Sequence, residues 1–266
     1  MSTRLVVIQA RRGSSRLPDK VMMPILGKPL LQRMVERVLM ARSDFEFVIA
    51  TTQAPEDDAI TELCAENHWP CFRGHATDLL DRHYQAALQY QADIILKIPS
   101  DVPLIDPQVI DEVLGFFESH AGRFDFVSNL HPPTWPDGND VEVMTFSALK
   151  AAWEEATKPM EREHTTPFLW ENPHRFRIGN VLWSSGKDYS MSHRFTIDYE
   201  EDYQFIKAVF EALYPTNPAF GLSDILQLLE EQPAIYEINA KFAGVNWYRN
   251  HLDELKTITA QHTKKI

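Results

Sequence analysis

The sequence predicts an α/β protein of three layers, a mostly parallel, mixed sheet with helices on both faces. Apolar runs of strand length alternate with helical patterns through the first half of the chain, which is how strand–helix–strand units pack. The chain has 266 residues, 44% of them hydrophobic, enough to bury one substantial core. Three polar segments, 9–20, Thr51-Thr52 and Pro99-Ser100-Asp101, all follow apolar runs, and ligands of such sheets collect at the carboxyl ends of the strands.

Leu5-Val-Val-Ile8 is the first strand and 29–41 the first helix. A strand over 47–50, a helix over 56–67, a strand beginning near Cys71 and a helix over 78–90 follow. Next come a strand over 92–98, a helix over 107–119 and a strand over 124–128. His131-Pro-Pro-Thr-Trp-Pro-Asp-Gly-Asn139 is a loop by its proline and Asp-Gly content. Beyond it the pattern gives a strand over 140–144, helices over 148–156 and 162–171, strands over 176–182 and 194–197, and helices over 200–213 and 222–231. A single domain is expected over 1–256, with 257–266 as a frayed tail. Residues from about 132 to 193 are expected as an excursion from the main sheet that makes a homodimer contact or covers a substrate. Trp135, Trp170 and Trp183 then lie either exposed on that excursion or in the domain's own core.

Charge locates the chemistry. The chain carries 26 Lys+Arg against 38 Asp+Glu, a formal net charge of −12, yet Arg4, Arg11, Arg12, Arg16, Lys20 and Lys28 fall within the first 28 residues with Asp19 as the single acid. Nucleic-acid binders carry broad basic faces, so this chain is expected to bind a small anion and no nucleic acid. Arginines that merely pair with nearby carboxylates are the alternative. No apolar run approaches a membrane span, so no membrane partner is expected. Cys64 and Cys71 have no metal spacing and read as core thiols of a reduced compartment, which gives a cytoplasmic expectation.

The segment after the first strand lacks both the Walker pattern, since Gly27-Lys28 is followed by Pro29, and the dinucleotide fingerprint G-x-G-x-x-G. What it fills is A-R-x-x-S-x-R-x-P-x-K, with Ala10, Arg11, Ser14, Arg16, Pro18 and Lys20, followed by Gly27-Lys28-Pro29-Leu30. With Phe72-Arg-Gly74, Asp78-Leu-Leu-Asp-Arg82, Asp101-Val-Pro-Leu-Ile-Asp-Pro107, Ser128-Asn129, Pro136-Asp-Gly138, Arg162-Glu-His164 and Thr196-Ile-Asp198, these motifs stand in order along nearly the whole chain. In them the chain resembles the cytidylyltransferases that make CMP-activated sugar acids, and most closely the spore-coat polysaccharide branch.

The resemblance implies a nucleotide-diphospho-sugar transferase-like fold, CTP and a small-molecule acceptor as substrates, and Mg²⁺ as cofactor. By the same resemblance Ala10, Arg11, Gly13, Ser14, Arg16, Lys20, Arg73, Ser100 and Asp101 are nucleotide-binding positions. Arg11, Arg16, Lys20 and Asp101 are catalytic among the candidates. Asp101 and Asp198 are metal-binding, and Asp81, Arg82, Asp137 and His164 are acceptor-binding candidates. The chemistry suits these residue types: arginines grip phosphate oxygens in forked geometry, a lysine follows charge onto the leaving pyrophosphate, and Mg²⁺ favours a few carboxylates with phosphate oxygens and water. Each has a plainer alternative. Asp101 is otherwise a turn or cap aspartate, Asp198 a helix N-cap, Asp81 and Arg82 a pair on a solvated helix face, and His164 a structural histidine. Arg12 falls between the matching positions and ranks below Arg11. Ser100 stands where many relatives have glycine, Tyr199 where threonine is common, and Gln9 where the Kdo-type enzymes have proline. A glycosyltransferase is the alternative function, although Asp101-Val-Pro103 lacks the second acid of D-x-D; a non-catalytic nucleotide-binding protein is the other.

Overall fold

The computed structural model describes residues 2–265. Nine strands and ten α-helices follow one another along it: β1 (Arg4–Gln9), β2 (Pro24–Ile25), β3 (Lys28–Pro29), α1 (Leu30–Val38), β4 (Glu46–Thr52), α2 (Asp58–Glu66), β5 (Cys71–Gly74), α3 (Leu79–Gln89), β6 (Ile94–Pro99) and α4 (Pro107–Ser119). Then come β7 (Phe126–Ser128), β8 (Glu142–Thr145), α5 (Phe146–Glu155), α6 (Pro159–His164), α7 (Pro167–Trp170), β9 (Ile178–Asn180), α8 (Glu200–Leu213), α9 (Leu222–Glu231) and α10 (Pro233–Tyr236).

Seven strands form the main sheet in the order β5-β4-β1-β6-β8-β7-β9, and β2 and β3 form a small ribbon. β1 lies in its interior between β4 and β6, parallel to both, with Gln9 opposite both Ala50 and Pro99. Because side chains alternate across a strand, Val6 and Ile8 enter one core with α1, α2, α4, α8 and α9, while Leu5 and Val7 enter the other with α3 and α5. The predicted three layers and mixed sheet are thus present.

Caps fix where the helices begin. Asp78 accepts a hydrogen bond from Asp81 N and starts α3; Asp106 accepts from Gln108 N, with Pro107 opening α4. Both helices therefore start beside the carboxyl ends of the strands that precede them.

Four sequence expectations change. Residues 132–193 return to the sheet twice: β8 inserts antiparallel between β6 and β7, and β9 extends the edge parallel to β7, with α5, α6 and α7 between them. The single helix expected over 162–171 is two, because Thr165 adopts φ 72° and Pro167 cannot continue the hydrogen-bond ladder. Residues 194–197 form no sheet strand, only an isolated bridge from Arg194 to Asp137; Phe195 N donates to Asp137 O and Ile197 N to Asp101 O instead. The described part of the tail is packed, with Ile258 and Thr263 buried and Lys264 N bonded to Gly244 O. Trp135 and Trp170 are core residues, each 3% exposed but on opposite faces of the sheet, and Trp183 packs against the core of Trp135.

Gly138 makes the bridge possible. It sits at φ 106°, and a Cβ there would stand 2.6 Å from the Phe195 carbonyl carbon. Gly138→Ala is expected to cost about 2–4 kcal/mol and to lower the thermal midpoint by roughly 5–15 °C in a calorimetric scan. An unchanged midpoint would contradict this close approach.

Candidate active site

The loop after β1 is closed by its own backbone. Arg12 O accepts from Ser14 N at 2.8 Å and from Asp19 N at 3.0 Å. The Arg12 guanidinium forks onto Asp19 at 2.6 and 2.9 Å and reaches Glu56 O at 3.0 Å, while Asp57 accepts from Arg12 N. Arg12 is therefore spent on holding the loop. Arg11, Ser14, Ser15, Arg16 and Lys20 instead line a cavity of about 220 Å³, floored by Ala10 and bounded by Ser100 and Asp101. Arg11 donates to Ala76 O at 3.2 Å and forms no ion pair among the described residues. A Cβ on Gly13 would meet no atom within 4 Å, so this stretch of backbone is open to close approach.

Two carboxylates distant in sequence converge on one cation. Lys20 Nζ lies 3.1 Å from Asp101 Oδ2, 3.1 Å from Asp198 Oδ1 and 2.6 Å from Ile197 O, and Arg16 Nη2 lies 2.7 Å from Asp198 Oδ1. Burial alone disfavours the Lys20 ammonium, but Asp101 and Asp198 outweigh it and raise its pKa. Burial likewise opposes the Asp198 carboxylate, and Lys20, Arg16 and Arg194 prevail, holding it below its ordinary range. Asp198 is not the cap of α8. The N-cap is Tyr199, and Asp202 in the first turn reaches back to it, accepting from Tyr199 N at 3.0 Å and from Asp198 N at 2.9 Å. Asp101 does lie in a turn, but its carboxylate is turned to Lys20.

Asp101, Asp198 and Arg16 also line a second cavity, of about 250 Å³, so the two clefts share a wall. Asp137, Asp140, Glu142 and His164 lie in the second. Arg194, 2% exposed, ties this side together: it pairs with Asp202 at 2.9 Å, Asp198 at 3.1 Å and Asp137 at 3.3 Å. Burial pushes Asp137 up to about 8 despite that pair, and pushes Asp140 up to about 6, with the Asp101 charge adding to the effect. Burial lowers His131 and His164 to about 3, so both imidazoles are neutral at pH 7.

The predicted positions thus divide. Ala10, Arg11, Ser14, Arg16, Lys20, Ser100, Asp101 and Asp198 meet around the first cavity, beside Gly13; Asp137 and His164 meet in the second. Arg82 is buried at the first cavity rather than the second, donating to His75 O, Ala50 O and Ala76 O. Arg73 and Asp81 are not brought to either. They line a separate depression, where Arg73 pairs with Asp58 and Asp81 accepts from Trp153 Nε1. Sequence reasoning missed Ser15, Lys97, Asp140, Glu142 and Arg194. For Arg194 a signal existed, a cation four residues ahead of Asp198; for Lys97 and Glu142, paired across β6 and β8, none did.

A cation-rich loop at the end of a parallel strand faces two carboxylates, Asp101 from the turn after β6 and Asp198 from the stretch before α8, an arrangement that suits nucleotidyl transfer. The sequence model of the cytidylyltransferase family matches residues 5–242, and the chain belongs to that family of CTP-dependent enzymes, with its nucleotide-diphospho-sugar transferase fold. It is 33% identical to an uncharacterized protein of Methanocaldococcus jannaschii over 88% of this chain and 93% of that one. It is 28% identical to the spore coat polysaccharide biosynthesis protein SpsF of Bacillus subtilis, over 88% and 96% respectively. A cytidylyltransferase structure from Leptospira borgpetersenii superposes with a TM-score of 0.84 at 32% identity, covering 89% of this chain and 97% of its own.

No group of three or more His, Cys, Asp or Glu side chains poised to hold a metal occurs among the described residues. The donors at the shared wall nevertheless suit Mg²⁺, which takes one or two carboxylates and leaves its remaining positions to phosphate oxygens and water. Asp101 and Asp198 already converge on a single positive charge.

One pH effect follows from Asp140. Its folded pKa, about 6, exceeds the ordinary value near 3.9, so between those values the folded protein keeps a proton that the unfolded chain releases. Stability from this group is therefore lost as pH rises through that window. Asp140→Asn is expected to raise the thermal midpoint at pH 8 and to flatten its fall between about pH 4 and pH 6. Parallel wild-type and variant profiles would refute the shifted carboxyl.

Proposed function

We propose that the enzyme transfers the cytidylyl group of CTP to a hydroxyl of a sugar acid or related acceptor in surface polysaccharide biosynthesis. The observation that carries this reading is Lys20 Nζ held 3.1 Å from both Asp101 and Asp198 at the wall common to the two cavities. One cavity offers cations to a triphosphate; the other offers carboxylates and neutral imidazoles to a hydroxylated acceptor. The SpsF likeness supports the polysaccharide setting.

In this mechanism Arg11 and Arg16 grip the β- and γ-phosphates, and the backbone around Gly13 and Ser14 approaches them closely. Lys20 leaves its carboxylate partners and follows charge onto the departing pyrophosphate. The acceptor oxygen attacks the α-phosphorus in line, the α–β phosphoanhydride bond breaks, and the hydroxyl proton passes to solvent or to a carboxylate of the shared wall. A divalent cation, when bound, neutralises charge on the phosphate oxygens, and Asp101 and Asp198 would hold it. Holding both substrates across one wall supplies most of the rate enhancement, because positioning is the chief demand of phosphoryl chemistry.

Pyrophosphate release measured with four nucleoside triphosphates, Mg²⁺ and a panel of acceptors should appear with CTP. Release with none of them would defeat the reading. Lys20→Met is expected to lower kcat by about 10²–10⁴, in line with loss of one charged transition-state contact. Arg11→Ala should raise the KM for CTP about 10-fold or more, whereas Arg12→Ala, whose side chain faces Asp19, should leave it within about 2-fold and lower only the thermal midpoint. Equal effects on KM would show that the division between the two arginines is wrong.

A further inference from the structure

The matched family region stops at residue 242, yet the chain continues back to the second cavity. Val245, Asn246, Trp247 and Tyr248 all line it. Arg194 Nη1 donates to Val245 O at 2.6 Å, so the arginine that pairs with Asp198 also clamps this segment. The Trp247 ring lies on that of His164, centroids 3.7 Å apart and 13° between planes, and Tyr248 packs on Trp170 and His131. Asn246 Nδ2 reaches His262 O at 2.8 Å, which ties the segment to the end of the chain.

Facing this aromatic wall, the charges are unequal. Lys97 is taken up by Glu142, Arg194 by three aspartates and Arg16 by Asp198, while Glu163 forms no ion pair among the described residues and Asp140 accepts only from Gly138 N there. Gln9 Oε1 and His131 Nδ1, on two further lining residues, are buried with no partner among the described residues. Aromatic rings beside carboxylates, amide oxygen and neutral imidazole suit a carbohydrate, whose C–H face packs on rings while its hydroxyls donate to the acceptors. A further anion would meet no unpaired cation there.

We propose that residues 245–248 are the acceptor-selecting wall, with Trp247 packing against a sugar whose end remote from the reacting hydroxyl carries hydroxyl or amino groups and no negative charge. This rests on the cytidylyl-transfer reading. The test pairs calorimetric binding of CTP with steady-state pyrophosphate release on wild type, Trp247→Ala and Trp247→Phe. The acceptor panel is of monosaccharide acids whose far end bears a hydroxyl, an amine or a carboxylate.

CTP affinity should stay within about 2-fold in both variants. The KM for the accepted sugars should rise at least 10-fold in Trp247→Ala and recover in part in Trp247→Phe, and carboxylate-ended sugars should be refused. With CTP still bound, an unchanged acceptor KM in Trp247→Ala or acceptance of carboxylate-ended sugars alone would overturn this inference only, whereas pyrophosphate release with none of the sugars would overturn the transferase reading as well. Failure of the wild type to bind CTP would overturn the transferase reading and this one together.

Discussion

The contact on which the site depends is the ammonium of Lys20 between Asp101 and Asp198. Three segments that share no sequence neighbourhood are drawn to one point by it. Lys20 comes from the loop after β1, Asp101 from the turn after β6, and Asp198 from the extended stretch before α8. Each alone would be an expensive group to bury, and a pair would leave one charge uncompensated. The cluster becomes affordable through further partners: Arg16 on Asp198, Ile197 O on Lys20, and Arg194 behind Asp198.

Arg194 and Asp202 form the layer that holds this cluster in place. Asp202 is fully buried and accepts from Arg194, Asn239 Nδ2 and two backbone amides at the start of α8. Its carboxylate thereby orients both the helix and the residue that faces Lys20. The Asp-Gly loop closes the other side, because only a residue without a side chain lets Asp137 come beside Arg194. A net charge of −12 is consistent with such a protein: the acids are spread, while the few cations that matter are held at one strand end.

Much of the fold was legible because its signals are local. Leu5 to Ile8 announce a buried central strand, Asp78 and Asp106-Pro107 announce helix starts, and the basic loop declares itself by charge and glycine. Pairing order is not local. Nothing in Glu142–Thr145 tells that this strand enters between β6 and β7, and so 132–193 reads as an excursion when it completes the sheet. The same limit explains Arg73 and Asp81, whose sequence neighbours resemble site residues while the fold turns both into another depression. Residues 257–265 lack periodicity, yet Ile258 finds a core that only the assembled domain offers. Of the cavity-lining residues that escaped notice, Lys97 pairs with Glu142 across β6 and β8, a partner found only in three dimensions.

In the chain by itself, the cations of the loop and the carboxylates of the wall neutralise one another, so binding on the proposed reading is an exchange of partners. A triphosphate arriving alone would draw Arg16 and Lys20 toward its own oxygens and leave Asp101 without its cation and Asp198 with Arg194 alone, an unfavourable arrangement for two neighbouring carboxylates. A divalent cation arriving alone would have to displace Lys20 from between the same carboxylates, against like charge. Together the two restore neutrality on both sides of the wall: phosphate takes the arginines and the lysine, and the carboxylates take the metal. The ion cluster of the shared wall therefore favours joint over separate loading, and places the exchanged charges at the junction where nucleotide and acceptor must meet.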